Sequence, residues 1–257
     1  MKTALIGCTG FVGTTLQRSV TFDDGFHSTD IAAIDGKSYD LVVGAGAPAK
    51  KWFANLYPAT DAATIDGLIG HLKTLKARIF VLVSTVDVFR SPVAVDENSP
   101  VPTKELQPYG YNRRRLEKFV AEHFERSLIV RLPGLVGPGL KKNIIFDFLN
   151  DNNVDRIDSR HVFQFYPMVN LWADIEKALS AELSLVHLTA APVSVAEVAR
   201  EAFGREFSQT IAGVTPVHYD FRTIHAGLWG KTGTYQYSRE ESLAAIRTYA
   251  ETEERML

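Results

Sequence analysis

Continuous apolar runs of strand length recur along the first half of the chain. They predict strands at residues 3–6, 39–43, 78–83 and 127–132. A strand with one face in water alternates between apolar and polar residues, whereas a strand covered on both faces reads as an unbroken apolar run. The runs therefore indicate strands of a buried, parallel sheet.

Between these runs, apolar residues recur at the spacing of a helix face. The spacing predicts helices within residues 11–19, 65–75 and 116–124. Strands that alternate with helices predict the α/β class, with an open, doubly wound parallel sheet. In such a sheet a ligand lies outside the carboxyl ends of the strands, so the residues directly after each strand are the informative ones.

The last third of the chain has a looser pattern. Ser194 with Glu197 and Ser238 with Glu241 have the spacing of a capping box, and they predict helices that run to about residues 203 and 250. A Pro/Gly cluster at 133–139 marks a lobe boundary. We therefore expect one core over residues 1–137, with a return segment at about 157–190, and a small lobe over 138–156 and 191–257.

Composition narrows the function classes. The 257 residues include 28 Lys+Arg and 30 Asp+Glu, for a net charge of −2, and 46% are hydrophobic. The chain has no excess of basic residues, so nucleic acid and membrane surfaces are disfavoured as partners. A single cysteine, Cys8, and the lack of a long apolar run favour a cytoplasmic protein. The histidines form no metal-ligand spacing, so we expect no metal site.

Gly7, Gly10 and Gly13 follow the first predicted strand directly and precede a helix. A dinucleotide diphosphate needs this arrangement: a tight turn, close approach to the backbone, and free amide groups at a helix N-terminus. A plain tight turn could also contain such glycines, but their position between a strand and a helix favours cofactor binding. The predicted cofactor contacts here are Gly7, Thr9, Gly10, Phe11, Val12 and Gly13.

The second half of a dinucleotide fingerprint is an acidic residue about 20 positions further on, at the adenosine ribose. The second strand lies somewhere within residues 20–27. If it ends at His27, the hydroxyl of Ser28 occupies the ribose position and tolerates a 2′-phosphate. If Asp30 reaches the ribose, NAD is favoured, and Asp30 as a cap of residues 31–34 is a third interpretation. The choice between NAD and NADP stays open.

Four motifs in order resemble the extended short-chain dehydrogenases/reductases, also called the NAD-dependent epimerase/dehydratase family. They are the glycine loop, Ser84 to Phe89, Tyr109 to Arg113 with Glu117, and Arg131 to Gly139. This resemblance covers about residues 1–140. It implies a Rossmann-like doubly wound sheet with a small C-terminal substrate lobe, an NAD or NADP cofactor, and a sugar or nucleotide-sugar substrate. A homodimer is compatible with it.

The resemblance assigns catalytic roles to Thr85, Tyr109 and Arg113. Thr85 is implied to donate a hydrogen bond to the reacting oxygen, and Tyr109 is implied to be the acid/base. Tyr111 with Arg115 is a second frame for the tyrosine motif, but only the Tyr109 frame also matches Gly110 and Glu117. Arg113 stands where the family has a lysine that stabilises the phenolate and binds the nicotinamide ribose. Because arginine is bulkier and donates in other directions, this replacement is the main departure from the family pattern.

Further positions follow from the same resemblance. It implies cofactor contacts at Gly44, Ala45, Gly46, Ser84, Tyr109, Arg113 and Pro133. Candidate substrate contacts are Asp87, Lys141, Lys142, Asn143, Arg160 and Gln164, and the pair Lys50–Lys51 is a second candidate for binding a diphosphate. The family's 4,6-dehydratases use an Asp-Glu pair directly after the threonine. Here Val86 precedes Asp87, so dehydration is disfavoured.

The sequence therefore predicts an NAD(P)-dependent oxidoreductase or epimerase that acts on a sugar, with a nucleotide-linked sugar favoured. The pattern does not choose between net reduction and epimerisation. The alternative is a catalytically inactive dinucleotide-binding sensor or partner protein, which would keep the glycine loop and tolerate Arg113 in place of lysine.

Overall fold

In the computed structural model, which describes residues 1–256, the apolar runs form a six-stranded parallel sheet. The sheet belongs to the first of two units, unit 1, which comprises residues 1–90, 99–131 and 171–186. Its strands are β1 (Thr3–Ile6), β2 (Asp24–Phe26), β3 (Ser38–Gly44), β4 (Lys76–Thr85), β6 (Ser127–Leu132) and β10 (Leu185–His187). Strands are numbered in chain order, and the remaining numbers belong to strands of the second unit, described below. The predicted strands and the α/β class are confirmed.

The order of the strands fixes where a ligand can lie. The sheet runs β10-β6-β4-β3-β1-β2, so the strand order reverses at β1, which has β2 on one side and β3 on the other. Both neighbours pair with β1 in parallel register. The crevice at the carboxyl ends of β1 and β3 is therefore the topological switch point of the sheet, where open α/β folds bind their ligands.

Helices of unit 1 begin at residues that favour helix starts. They are α1 (Phe11–Ser19), α2 (Lys51–Leu56), α3 (Pro58–Leu72), α4 (Pro108–His123) and α6 (Leu171–Ser180). α3 and α4 begin several residues earlier than their apolar spacing predicts, because each has a proline in its first turn, where proline fits best. α3 also ends before Leu75, which is buried in the core outside the helix.

The core of unit 1 lies where these helices cover the sheet. Ile6, Val42 and Phe80 from the sheet pack with Ile65 of α3 and Leu116 of α4 in one buried cluster. Phe80 stacks on Phe124 with ring centroids 4.4 Å apart. Burial on this scale, at roughly 25 cal/mol per Å² of apolar surface, holds the carboxyl ends of the strands in fixed register.

Of the described residues, unit 2 comprises 91–98, 132–170 and 187–256. Its strands form two-stranded pairs: β5 (Val93–Val95) with β12 (Asp220–Phe221), β7 (Gly134–Val136) with β9 (Phe165–Pro167), and β8 (Val162–Phe163) with β11 (Val193–Ser194). Its helices are α5 (Ile144–Asn150), α7 (Val195–Phe203) and α8 (Arg239–Thr252). Both predicted capping boxes are present, at Ser194 and at Ser238.

The boundaries of the units differ from the predicted ones for a physical reason. Residues 91–98 belong to unit 2 because β5 pairs with β12, which lies more than 120 positions further along the chain. Residues 132–137 and 157–170 belong to unit 2 because β7 pairs with β9 and β8 pairs with β11. Within residues 1–256 no helix is long and apolar enough to cross a membrane.

Candidate active site

The loop between β1 and α1 has two positions where no side chain fits. Gly7 has a φ of +85°, and a Cβ atom there would lie 2.5 Å from the carbonyl oxygen of Ala45. A Cβ atom at Gly13 would lie 2.1 Å from the carbonyl oxygen of Gly7. Both distances are far below van der Waals contact. Glycine at these positions therefore lets the turn close against the segment that follows β3.

Gly10 faces more open space. The nearest atom that a Cβ atom at Gly10 would meet is the carbonyl oxygen of Gly7, at 3.4 Å. Gly10 is the N-cap of α1, it provides no side-chain cap, and the first turn of α1 has no acidic residue. The first amide groups of a helix lack partners within the helix and carry partial positive charge. The loop therefore fits a diphosphate group, and Thr9, Phe11 and Val12 lie beside it.

The segment after β3 completes this crevice within unit 1. The amide of Ala45 donates to the carbonyl oxygen of Ile6 at 2.8 Å. A Cβ atom at Gly46 would lie 2.9 Å from Cγ2 of Ile6, and one at Gly44 would lie 3.0 Å from the ring of Phe80. The structure thus brings residues 44–46 together with the glycine loop at the switch point of the sheet.

The turn after β2 holds the two residues that bear on the ribose. β2 ends at Phe26, and Ser28 is exposed. The carboxylate of Asp30 accepts the amide of His27 at 2.7 Å and pairs with the His27 ring at 3.1 Å. Asp30 precedes the 3-10 helix Ile31–Ile34 but makes no side-chain cap bond to it. Asp30 is thus the N-cap residue of this segment by position, and its backbone carbonyl accepts the amide of Ala33 at 2.8 Å, while its carboxylate binds His27.

Thr85 and Tyr109 lie together in unit 1. Thr85 ends β4, Tyr109 lies in the first turn of α4, and their side chains share a hydrogen bond. The hydroxyl of Thr85 also accepts the amide of Asp87 at 3.1 Å. A Cβ atom at Gly110 would lie 2.0 Å from the carbonyl oxygen of Asp87, so this glycine lets α4 approach the turn. The approach explains why glycine follows the tyrosine.

Burial and the nearby cations act in opposite directions on the pKa of the Tyr109 phenol. Its side chain is buried, and burial raises the pKa of Tyr109 above the ordinary value. The cations of Arg113 and Lys51 and the hydrogen bond from Thr85 lower this pKa, whereas the carboxylate of Asp87 raises it. A buried phenol beside cations is suited to donate a proton, because the charge of the phenolate is partly offset.

Arg113 does not extend toward open space. Its guanidinium is buried, pairs with Asp61 at 2.5 Å and donates to the carbonyl oxygen of Pro48. The carbon of the guanidinium lies 4.0 Å from the ring centroid of Tyr109, so the group stacks on the ring. Nε of Arg113 is buried and has no hydrogen-bond partner among the described residues. Most donors of Arg113 are thus engaged by the protein itself.

A second buried network lies under Ser84. The carboxylate of Glu117 accepts from Ser84 at 2.6 Å and from two nitrogens of Arg131 at 2.9 and 2.8 Å. Arg114 also donates to Glu117, at 2.9 Å. These bonds tie α4 to β4 and β6. They fix the helix that carries Tyr109 relative to the strand that carries Thr85.

The remaining predicted contacts lie in unit 2. Pro133 is buried before β7, and Lys141 and Lys142 are exposed. The side chain of Asn143 caps α5, accepting the amide of Ile145 at 2.9 Å. Arg160 pairs with Asp158 at 2.7 Å. Gln164 is buried, and its amide group binds the backbone of Ala190 and Phe221.

Three residues near Tyr109 were not predicted to contribute there. Asn55 accepts the amide of Tyr109 at 3.0 Å, Asp61 pairs with Arg113, and Lys51 pairs with Asp87 at 2.7 Å. One signal was available for Asp61, since it falls at helical spacing from Ile65 and Leu72 on the apolar face of α3. A charge on such a face indicates a buried pair. Lys51 and Asn55 carry no comparable signal.

Comparison with known proteins gives matches at the level of structure only. No protein-family model matches the sequence, and no curated protein matches it. The chain is similar to dTDP-4-dehydrorhamnose reductase from Bacillus anthracis in complex with NADP, at a TM-score of 0.75 and 18% identity over 98% of this chain and 99% of that one.

Two further solved structures have the same architecture. One is a UDP-glucuronic acid 4-epimerase variant from Bacillus cereus in complex with NAD and a fluorinated UDP-sugar, at a TM-score of 0.68 and 15% identity over 98% and 99% of the two chains. The other is the human epimerase family protein SDR39U1 with NADPH, at a TM-score of 0.72 and 18% identity over 98% of this chain and 100% of that one. The chain therefore has the fold of the extended short-chain dehydrogenases/reductases, as its ordered motifs predict.

Proposed function

We propose that this protein is an NAD(P)-dependent oxidoreductase or epimerase that acts on a nucleotide-linked sugar. The observation that carries the proposal is the coexistence, in unit 1, of a glycine cradle at the switch point and a Thr85–Tyr109 pair at the end of β4. The structural neighbours support the class, since they include sugar-nucleotide reductases and epimerases in complex with NADP or NAD.

The residues that would hold the cofactor are those of the cradle. The amides at the start of α1 would bind the diphosphate, and the backbone of residues 44–46 would pack against the adenosine half. Ser28 is an exposed hydroxyl in the turn after β2, where the adenosine ribose would lie. The fit rests on glycines whose missing side chains leave the backbone accessible. A nicotinamide dinucleotide, when bound, supplies or accepts a hydride.

Tyr109 and Thr85 would handle the proton. In a reduction, the phenol of Tyr109 gives its proton to the carbonyl oxygen of the keto sugar as the carbon accepts a hydride, which yields an alcohol and a phenolate. The hydroxyl of Thr85 donates a hydrogen bond to the same oxygen. The phenolate then recovers a proton from solvent. In an epimerisation, the phenolate would remove the hydroxyl proton as the carbon gives up a hydride, which leaves a ketone. Tyr109 would return the proton to the same oxygen as the carbon regains the hydride on its opposite face, so the configuration is inverted without net oxidation or reduction.

The commitment of Arg113 to Asp61 and Pro48 favours a second candidate, a dinucleotide-binding protein without turnover. In that case no group four residues after Tyr109 would reach the nicotinamide ribose, although the glycine cradle would still bind the diphosphate. The two candidates share cofactor binding and differ in turnover.

Titration with NADPH and NADH, followed by nicotinamide fluorescence, tests the shared part. We expect saturable binding of at least one of them, and no saturable binding at millimolar levels of either would refute both candidates. Turnover is then measured with dTDP-4-dehydrorhamnose for reduction and with UDP-galactose or UDP-glucuronic acid for epimerisation, the latter by chromatography of the sugar nucleotides.

Tyr109→Phe distinguishes the two candidates. We expect at least about 100-fold lower turnover, because the general acid is lost, with cofactor affinity largely retained. Tyr111→Phe is the matched control, since Tyr111 lies on the same helix and its side chain is 43% exposed. Turnover lost in Tyr111→Phe but kept in Tyr109→Phe would assign the reaction to the other frame.

A further inference from the structure

Lys51 contributes a second cation near Tyr109 from a different element. It is the first residue of α2, far from α4 in sequence. Its Nζ lies 2.7 Å from Oδ1 of Asp87, and the amide of Asp87 in turn donates to the hydroxyl of Thr85. The ammonium is therefore fixed at the same turn that presents Thr85 to the phenol.

We propose that Lys51, held by Asp87, is a positioning residue that acts beside Arg113 to offset the negative charge formed on the Tyr109 phenol. This inference rests on the proposed function, because it names the electrostatic partner of the same acid/base. Lys51 acts through Tyr109 rather than on the substrate.

The two cations near the ring are engaged in different ways. Arg113 lies over the ring face, is buried, and donates to Asp61 and Pro48. Lys51 is 45% exposed and binds the 19% exposed carboxylate of Asp87. An ammonium is compact and its three donors rotate freely, whereas a guanidinium donates only in its own plane. Lys51 is thus held at the turn that carries Thr85, whereas Arg113 lies over the face of the ring.

The charged and polar groups around the phenol come from five elements. Lys51 lies on α2, Asp87 on the turn after β4, and Arg113 on α4, with Asp61 of α3 bound to Arg113. Thr85 adds the one direct hydrogen bond named above. Of the charges near the phenol, Arg113 acts most strongly on it, followed by Asp87 and then Lys51, so Lys51 offsets part of the effect of Asp87. Both Lys51 and Arg113 lower the pKa of Tyr109, and Asp87 raises it.

The test measures the ionisation of Tyr109 without cofactor or substrate. The protein is labelled with 3,5-difluorotyrosine, whose phenol ionises at a lower pH, and the fluorine NMR signal of Tyr109 is identified by its loss in Tyr109→Phe. We expect Lys51→Gln to raise the ionisation midpoint by about one pH unit, the effect of removing one nearby cation. Lys51→Arg keeps the charge and should restore most of the shift.

Lys118→Gln is the matched control. Lys118 lies on α4 like Tyr109, its side chain is 70% exposed, and it pairs with Glu122 about two turns beyond the tyrosine. Removing this cation should leave the midpoint unchanged. Equal midpoints in the parent protein and Lys51→Gln overturn the proposal, and so does a shift of the same size in Lys118→Gln.

A parallel titration with NADPH separates this inference from the proposed function and from a direct diphosphate contact. Unchanged NADPH affinity in Lys51→Gln with a raised midpoint supports the positioning role. Weakened NADPH affinity with an unchanged midpoint assigns Lys51 to the cofactor and overturns it. Failure of the parent protein to bind NADPH or NADH refutes the proposed function but leaves the midpoint comparison intact. Where turnover is found, kcat should fall about tenfold in Lys51→Gln with KM unchanged.

Discussion

Two buried arginine–carboxylate pairs hold α4 in unit 1, and they are built differently. Arg131 of β6 binds Glu117 of α4 through two nitrogens, and Glu117 also accepts from Ser84 and Arg114. Arg113 of α4 binds Asp61 of α3 through one nitrogen and leaves its Nε without a partner among the described residues. The first pair is complete, and the second is not.

The aromatic rings beside the two arginines also differ, because one of them can ionise and the other cannot. The guanidinium carbon of Arg131 lies 5.2 Å from the ring centroid of Phe89, which cannot ionise. The guanidinium carbon of Arg113 lies 4.0 Å from the ring centroid of Tyr109, whose phenol can ionise. A buried charge with incomplete bonding costs stability. The cost falls beside the phenol that we propose as the acid/base, whereas the complete pair lies where only the scaffold depends on it.

Loss of Glu117 should have the largest effect on stability. Glu117→Ala leaves the guanidinium of Arg131 buried without a carboxylate, and we expect a loss of about 4 kcal/mol in the free energy of unfolding, measured in urea. Glu122→Ala is the control on the same helix, where an exposed pair with Lys118 contributes less than about 1 kcal/mol. Equal losses in the two variants would contradict the assignment.

Asp61→Ala should have the second-largest effect, a loss of about 3 kcal/mol in the free energy of unfolding. The loss is smaller than for Glu117→Ala because Arg113 keeps its bond to the carbonyl oxygen of Pro48. Asp66→Ala on the same helix removes an exposed partner of Arg115 and serves as the control. Joint replacement of Asp61 by Leu and Arg113 by Met should recover most of the loss, since an apolar pair needs no partner charge. A double variant less stable than Asp61→Ala would argue against this account.

Replacement of each arginine by lysine sharpens the comparison. Arg131→Lys loses the two-pronged contact with Glu117, and we expect a cost of about 2 kcal/mol. Arg113→Lys keeps one charge contact with Asp61 and loses the bond to Pro48, for a cost of about 1 kcal/mol. Thermal and urea unfolding of the two variants, run side by side, measure the difference. The reverse order would mean that the Arg113 pair is the more important anchor.

The smallest expected effect concerns alkaline pH. Burial raises the pKa of Tyr109 above its ordinary value of 10.0. The neutral phenol thus favours the folded state, and this contribution is present below the unfolded pKa and lost as the pH rises toward the folded one. Tyr109→Phe should make the decline of the free energy of unfolding above about pH 10 shallower. Phe89→Leu, beside the other arginine, should leave the slope of that decline unchanged.

Much of the fold was predictable because its signals are local. The runs at 39–43 and 78–83 identify β3 and β4, and two serines with glutamates three residues later identify the starts of α7 and α8. β2 is three residues long and its apolar content is small, so the pattern gave only a range for it. The unit boundary depends on strand pairs such as β5 with β12, which no local signal reveals.

The candidate site was predictable where its residues form motifs. Tyr109 and Thr85 come from two motifs of one resemblance, and the structure brings them together. Arg113 was recognised as a departure, but its partner Asp61 lies 52 positions away on another helix. Lys51 was a candidate for a diphosphate contact only. Which cation faces the phenol depends on how α2 and α4 pack, and this is a tertiary property.

The central sheet ends in short strands on both sides. β2 at one edge and β10 at the other are three residues long each. An edge strand exposes unpaired amide and carbonyl groups that template the addition of further chains, and short edges expose few of them. The long strands β3 and β4 lie inside the sheet, where both sides are paired. Growth of fibrils by edge-to-edge strand addition is therefore disfavoured from either end of this sheet.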